Sequence, residues 1–375
     1  NWAAESGDAA TLAELGTSAV CLLTSLGFLE EADDWCSRLL TVGDEATPHR
    51  ARALARRVLL TAVLRGCEAA ETDRLALVDI AEALDDDRWR ALAIERRALL
   101  ALLRDDFDRA SELWDRATAE LLRLGSQEAW LCLSNHMEAL FQAGHYDRAE
   151  AVADQLAEVG ERFGISGLPA QALEGRSFIA VYRGDPDLAE QCFIEAESRL
   201  RTDVDDETPR FDPYGSMFLP AYIALLRDDV DEAERLGSAA MAIARRSRHP
   251  DAHLRGLVLM GLVHLRRGEP ISGRPYLVEM LAEASRTGLV YFQRYVLGAM
   301  AATWAMIEPE RGATLLAAVE ALNRNDGRTL PAPIRDAVDR ATAALDESSI
   351  DLESARQRGA DMTLAEAVEL ALLDS

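Results

Sequence analysis

The residues able to do chemistry in this chain are few and scattered. His249, Asp251 and His253 lie close together, with His264 further along. Histidines four apart share a helix face and can chelate a transition metal, but the supporting HExxH pattern is absent. They read as solvated imidazoles at a helix start. The acid runs Asp85 to Asp87 and Asp203 to Glu207 lack the spacing and central glycine of a calcium loop and read as solvated loops. Serines and histidines occur without a G-x-S-x-G elbow or an ordered partner, and no GxxxxGK[ST] loop is present to cradle a phosphate. The five cysteines stand singly, without a CxxC pair, as reduced thiols packed on helices do. The expectation is a protein that is not an enzyme, with no catalytic residue, no metal and no cofactor.

Charge narrows the partners. The 375 residues hold 65 acidic and 40 basic side chains, every basic one an arginine, for a net charge of −25 and a pI near 4.6. Such a chain repels phosphate backbones, which argues against direct nucleic-acid binding. The longest uncharged apolar run, Tyr295 to Ile307, is too short for a bilayer, and no signal peptide opens the chain. A cytoplasmic location with no membrane contact is expected. The first residue is Asn1 rather than Met, so a piece of a longer protein is expected as well.

The elements that must position any site are helices. Apolar residues recur at helical spacing almost throughout, broken at short intervals by Gly, Asp or Pro, and strand signals are nearly absent. The breaks are periodic. The small residues Ala32, Ala70, Ala110, Ala149, Ala189, Ala233, Gly273 and Ala313 are separated by 38, 40, 39, 40, 44, 40 and 40 positions. Five residues before most of them stands a turn-former: Gly27, Asp105, Gly144, Gly184, Asp228 or Gly268. A small residue lets two antiparallel helices approach, and Gly or Asp can end one helix or cap the next. The second unit is the poorest match, with Asp73 and Arg74 at packing positions. The long gap holds a polar, Pro-containing loop at 201–214, read as a bulge or a lid. Pro331 and Pro333 open one further helix, and Thr363 to Glu366 form a capping box before the last.

The turn and crossing residues in Ala143-Gly-His-Tyr-Asp-Arg-Ala149 resemble tetratricopeptide-type repeats, although the period here is about 40 rather than roughly 34. The resemblance implies an all-α, right-handed α-α superhelix of about eight helix-turn-helix units. The array is assigned to 1–325, with a C-terminal helical capping segment over 326–375. Leu315 to Leu322, Leu330-Pro331, Arg335, Gly359 and Met362 to Val368 also resemble the tail of large bacterial STAND-type signal-transduction ATPases, which include LuxR-type, maltose-activator-like regulators. Trp2 to Asp8 and Gly27 to Trp35 are similar to the start of their sensor arrays. That resemblance implies an effector-sensing module joined to ATPase and DNA-binding or cyclase modules of the same full-length chain. In repeats of this kind the first helix of each unit lines a concave groove that takes a small-molecule effector or a protein partner. Asn135, Glu138, Gln142, Gln171, Glu174, Tyr182, Tyr222 and Arg255 are the candidate groove residues. Phe141 and Phe178 read as plain core. The rival reading is a free-standing scaffold that binds segments of other proteins.

Overall fold

The computed structural model of the chain describes residues 15–16, 18–20, 22–24, 28–41, 45–203, 216–247, 250–348 and 350–373, with the backbone alone at 201–203, 247, 250 and 251. Among these residues every regular element is helical. The second helices of successive repeats are α1 (Leu29–Thr41), α3 (Cys67–Ala83), α5 (Phe107–Arg123), α7 (Tyr146–Phe163), α9 (Pro186–Asp203), α11 (Val230–Ser247), α13 (Pro270–Thr287) and α15 (Pro309–Asn325). The first helices between them are α2 (Pro48–Arg65), α4 (Asp87–Leu103), α6 (Ala129–Gln142), α8 (Gly167–Arg183), α10 (Leu219–Leu226), α12 (Pro250–Arg267) and α14 (Val290–Ile307). Then come α16 (Ala332–Asp346), α17 (Glu353–Ala360) and α18 (Leu364–Leu372). The fold is an all-α helical repeat. None of the described helices is long and apolar enough to cross a membrane.

Every periodic small residue sits near the start of a second helix and is buried. At Gly273 the reason is plain: a Cβ there would stand 3.0 Å from the Gly261 carbonyl oxygen on the preceding helix. The turn-formers do two jobs in adjacent positions. Asp105 and Asp228 take left-handed backbone (φ 67° and 65°), which ends the first helix. Asp106 and Asp229, next along, accept from the Arg109 and Glu232 amides and so cap the second. At Gly184 (φ 92°) glycine fills the left-handed place and Asp185 caps through the Leu188 amide. The last repeat turns differently: Glu308 is extended (φ −138°) and Pro309 starts the helix. The capping box forms as expected, with Thr363 accepting from the Glu366 amide. Of the expected loop at 201–214, residues 201–203 finish α9, and residues 204–215 lie outside the described residues.

The chain divides into two compact units, residues 1–136 with 247–249 and 287–289, and residues 137–246 with 250–286 and 290–375. Residues 326–375, expected as a terminal cap, lie within the second unit. In the first, Val20, Ala32, Cys36, Leu39, Ala53 and Leu60 form an apolar cluster, whose burial pushes the Cys36 thiol up to about 12. The second repeat, poor in packing residues, solves its problem with charge. Asp73 is buried and accepts from Arg57 Nε at 2.9 Å and from Thr61 Oγ1 at 3.0 Å. An acid at a packing position is tolerated because the preceding helix supplies its partners.

In the second unit an ion-pair pattern repeats with the helices. Arg183 reaches Asp147 (2.5 Å) and Glu150, Arg227 reaches Asp187 (2.7 Å) and Glu190 (2.8 Å), and Arg267 reaches Asp231 (2.5 Å) and Glu234. The first acids of these pairs are at least 89% exposed, so water screens these contacts and each adds little to stability. The end of the chain is anchored more firmly. Trp304 Nε1 donates to the Ala371 carbonyl at 2.9 Å, and Arg311, its guanidinium 3.5 Å from the Trp304 ring centroid, donates to Leu373 O at 2.6 Å. One feature departs from a pure nearest-neighbour stack: α16 packs along α14 and also touches α8, α10 and α12.

Candidate functional site

Five first helices contribute residues of the second unit to one polar cluster: Glu138 from α6, Phe178 and Tyr182 from α8, Tyr222 from α10, Arg255 from α12, and Tyr291 and Tyr295 from α14. Its centre is Arg255, 5% exposed and ion-paired with Glu138. Its guanidinium lies 5.7 Å from the Phe178 ring centroid. Burial works against the Arg255 charge, but the Glu138 carboxylate and then the Tyr182, Tyr295 and Tyr291 oxygens outweigh it and raise its pKa. Gln142 Nε2 donates to the same Glu138 carboxylate at 2.7 Å.

Aromatic packing holds this charge in place. Phe141 stacks on Phe178 with centroids 5.9 Å apart, and the Tyr182 ring stands edge-on to Phe141 at 5.3 Å. The Tyr182 and Tyr295 hydroxyls are 2.9 Å apart. The Tyr291 hydroxyl and the Arg255 Nε are buried without a hydrogen-bond partner. Unmet hydrogen-bonding capacity in a buried place costs about 1–3 kcal/mol per group. These two groups leave the cluster with unmet hydrogen-bonding capacity beside the Phe178 ring.

Burial, first, holds the Tyr182, Tyr222 and Tyr291 phenols well above the usual tyrosine value, and the nearby Tyr295 hydroxyl adds to this at Tyr182 and Tyr222. Because the folded-state value is the raised one, their contribution to stability is whole below the unfolded tyrosine pKa, about 10, and is lost as pH rises above it. The expected result is a denaturation midpoint insensitive to these groups up to about pH 9. Beyond pH 10 the free energy of unfolding should fall by about 1.4 kcal/mol per pH unit per phenol, and the midpoint with it. Phenolate absorbance should then include these three only as the chain unfolds. Their reversible titration in folded protein near pH 10 would contradict the burial.

The structure distributes the eight candidate residues unevenly. Glu138, Gln142, Tyr182, Tyr222 and Arg255 come together in the cluster. Gln171 and Glu174 are buried on α8, where Glu174 accepts from Ser216 Oγ at 3.1 Å. Asn135 belongs to the first unit and donates to Glu95 at 2.9 Å. Most are thus buried rather than displayed on an open groove wall. Phe141 and Phe178 are core, as expected, and also wall the cluster. Tyr291 and Tyr295 escaped sequence reasoning because the count back from each small residue stopped before the last repeat, and they lie near the start of its first helix.

Two chemical readings need closer inspection. Ser111 does have an ordered partner, contrary to expectation: its Oγ lies 2.8 Å from His136 Nε2, and His136 Nδ1 is 3.5 Å from Asp115. The order is inverted for nucleophilic catalysis, since Ser111 is 4% exposed while the Asp115 side chain is 63% exposed. The hydroxyl is shut in against the stacked Trp114 and His136 rings, out of a substrate carbonyl's reach. His253 pairs with Glu279 at 2.9 Å and His264 with Glu269 at 3.1 Å, while His249 lies outside the described residues. Among the described residues no group of three or more His, Cys, Asp or Glu could hold a metal ion.

Fold and cluster together define the class, an all-α helical-repeat protein with a buried arginine–tyrosine cluster. No protein-family model matches the chain, and no curated protein matches it.

Proposed function

We propose that this chain is the effector-sensing helical-repeat module of a multidomain bacterial regulator of the STAND type, and that its effector is a small molecule that engages the Arg255 cluster. The observation that supports this most is that five successive first helices contribute to one buried polar cluster with unmet hydrogen-bonding capacity. A ligand that completes those hydrogen bonds ties the five helices into one arrangement. It favours that arrangement by its differential affinity and by no more than that. Small changes in the packing of successive repeats then add up along the array, which suits a sensor that must signal to attached modules.

A thermal-shift screen of the chain against oligosaccharides, nucleotides, amino acids and acyl lactones tests this. A ligand at about 100 times its dissociation constant adds about 2.7 kcal/mol to the folded state, which moves the midpoint by several degrees. The shift is expected to shrink in Tyr291→Phe, which removes one of the unmet groups and little else. A shift undiminished there and in Arg255→Lys places the ligand elsewhere. No shift with any class overturns the small-molecule reading in favour of a protein-binding scaffold. The gene offers an independent test: the open reading frame should encode a P-loop upstream of Asn1, and a start codon just before Asn1 would sink the regulator reading.

A further inference from the structure

Arg255 Nε and the Tyr291 hydroxyl are buried donors with nothing to donate to, on residues 5% and 7% exposed. They belong to one site, because the Tyr291 oxygen acts on the Arg255 charge, and Glu138 and Arg255 both act on Tyr291. A guanidinium N–H can only donate. A tyrosine hydroxyl donates or accepts, and at neutral pH it keeps its proton. A single oxygen with two lone pairs meets both needs.

Charge decides what carries that oxygen. The Glu138 carboxylate already neutralises Arg255 and also accepts from Gln142 Nε2 at 2.7 Å. A second carboxylate, or a phosphate, would put an uncompensated negative charge beside Glu138 in a buried place, which costs more than a hydrogen bond returns. An unpaired charge raised against the wrong ligand is one way a site gains specificity. Hydroxyl-rich ligands fit poorly for a different reason. Each hydroxyl brings a donor with every acceptor, and the Glu138 carboxylate is already engaged. A ketone or ester carbonyl brings acceptors alone. The half-buried side of the cluster, where such a group would approach, is formed by Glu138, Gln142 and Tyr295, and the Phe141 and Phe178 rings nearby suit an apolar body behind it.

With the Arg255 cluster as the effector site, as proposed above, we infer that the effector is an uncharged carbonyl compound, a ketone or ester, whose oxygen accepts from Arg255 Nε and the Tyr291 hydroxyl. Glu138 then sets the specificity, since it cancels the arginine charge that would otherwise draw in an anion. Free amino acids and nucleotides, which carry a carboxylate or phosphate, are rejected on charge.

The probes are acetophenone, benzoate and benzyl alcohol, which share one ring and differ in the group they offer. Their affinities for the full chain are read from the thermal midpoint as a function of concentration. Acetophenone is expected to bind the wild type at least about tenfold more tightly than either of the others. It should lose at least about tenfold in Tyr291→Phe. In Glu138→Gln the order of acetophenone and benzoate should invert, because Arg255 then needs a counter-charge and benzoate brings one. An unchanged order in folded Glu138→Gln would overturn the role of Glu138. If benzoate binds the wild type as tightly as acetophenone and Tyr291→Phe weakens both, the carbonyl class is overturned while the cluster stands as the ligand site. If no probe binds, or Tyr291→Phe changes no affinity, the cluster is not that site and both readings fall. The wild-type comparison decides even where Glu138→Gln fails to fold.

Discussion

Glu138→Ala is expected to destabilise the second unit by about 3–5 kcal/mol, the cost of leaving a buried charge without its partner. The reciprocal change, Arg255→Met, is expected to cost clearly less. The asymmetry follows from burial: Arg255 is 5% exposed, whereas the Glu138 side chain is 24% exposed. Without Glu138 the guanidinium keeps the Phe178 face and the tyrosine oxygens around it, and no carboxylate. Without Arg255 the Glu138 carboxylate still accepts from Gln142 at 2.7 Å and can be reached by water. Methionine also restores most of the lost volume as an adaptable apolar side chain. The double variant should resemble Arg255→Met alone, because no buried charge is left to strand. Urea denaturation of the three variants with an unchanged slope would measure this. Equal single effects, or additive ones, would show that the ion pair is not what holds the cluster.

Gly359→Ala is expected to be strongly destabilising for a single added methyl. Gly359 lies on α17, and a Cβ there would collide with the Thr314 carbonyl oxygen on α15 and come 3.0 Å from Ala317 Cβ. A backbone carbonyl inside a helix cannot step aside as a side-chain tip does, so the two helices must separate. Overpacking of this kind costs about 1–3 kcal/mol and occasionally more, and the upper end is expected here. Gly298→Ala is the control. Its added Cβ meets the Cγ2 branch methyl of Ile334, at 2.8 Å, a side-chain obstacle that yields only by a small shift of α16 because a β-branched residue has little χ1 freedom in a helix. The exchange of glycine for alanine returns about 1 kcal/mol against that cost. Its net loss should be clearly smaller than that of Gly359→Ala. Thermal midpoints of the two variants, with limited proteolysis after residue 346 to detect release of α17, check the contrast. Comparable losses in both would mean that side-chain and backbone obstacles are equally yielding in this unit.

The residues that carry these two predictions were visible in the sequence to different degrees. Gly359 and Arg255 could both be singled out there, Gly359 as part of a terminal pattern and Arg255 as a groove candidate. Neither reading indicated a neighbour. Arg255 and Glu138 are separated by 117 positions, and no periodicity within a repeat ties an acid on one first helix to an arginine three repeats later. Tyr291 and Tyr295 were hidden for a related reason, since a window measured back from each small residue samples only part of a first helix.

The sequence by itself determined the helical class, the repeat period, the small residue at each crossing and the turn chemistry of Asp105, Gly184 and Asp228. All of these are short-range matters of helical spacing, backbone sterics and capping, settled within a few residues of chain. Tertiary structure alone decided that Asp73 could sit at a packing position, since its partners Arg57 and Thr61 come from the preceding helix. It also decided that most of the polar candidates would be buried rather than displayed, and that α16 would lie across helices far from it in sequence. Burial of apolar surface has no direction and no sequence range. Which distant face α16 covers is therefore set by the fit of Ile334 against Gly298 and of Asp336 against Arg266, a fit that exists only once the repeats are stacked.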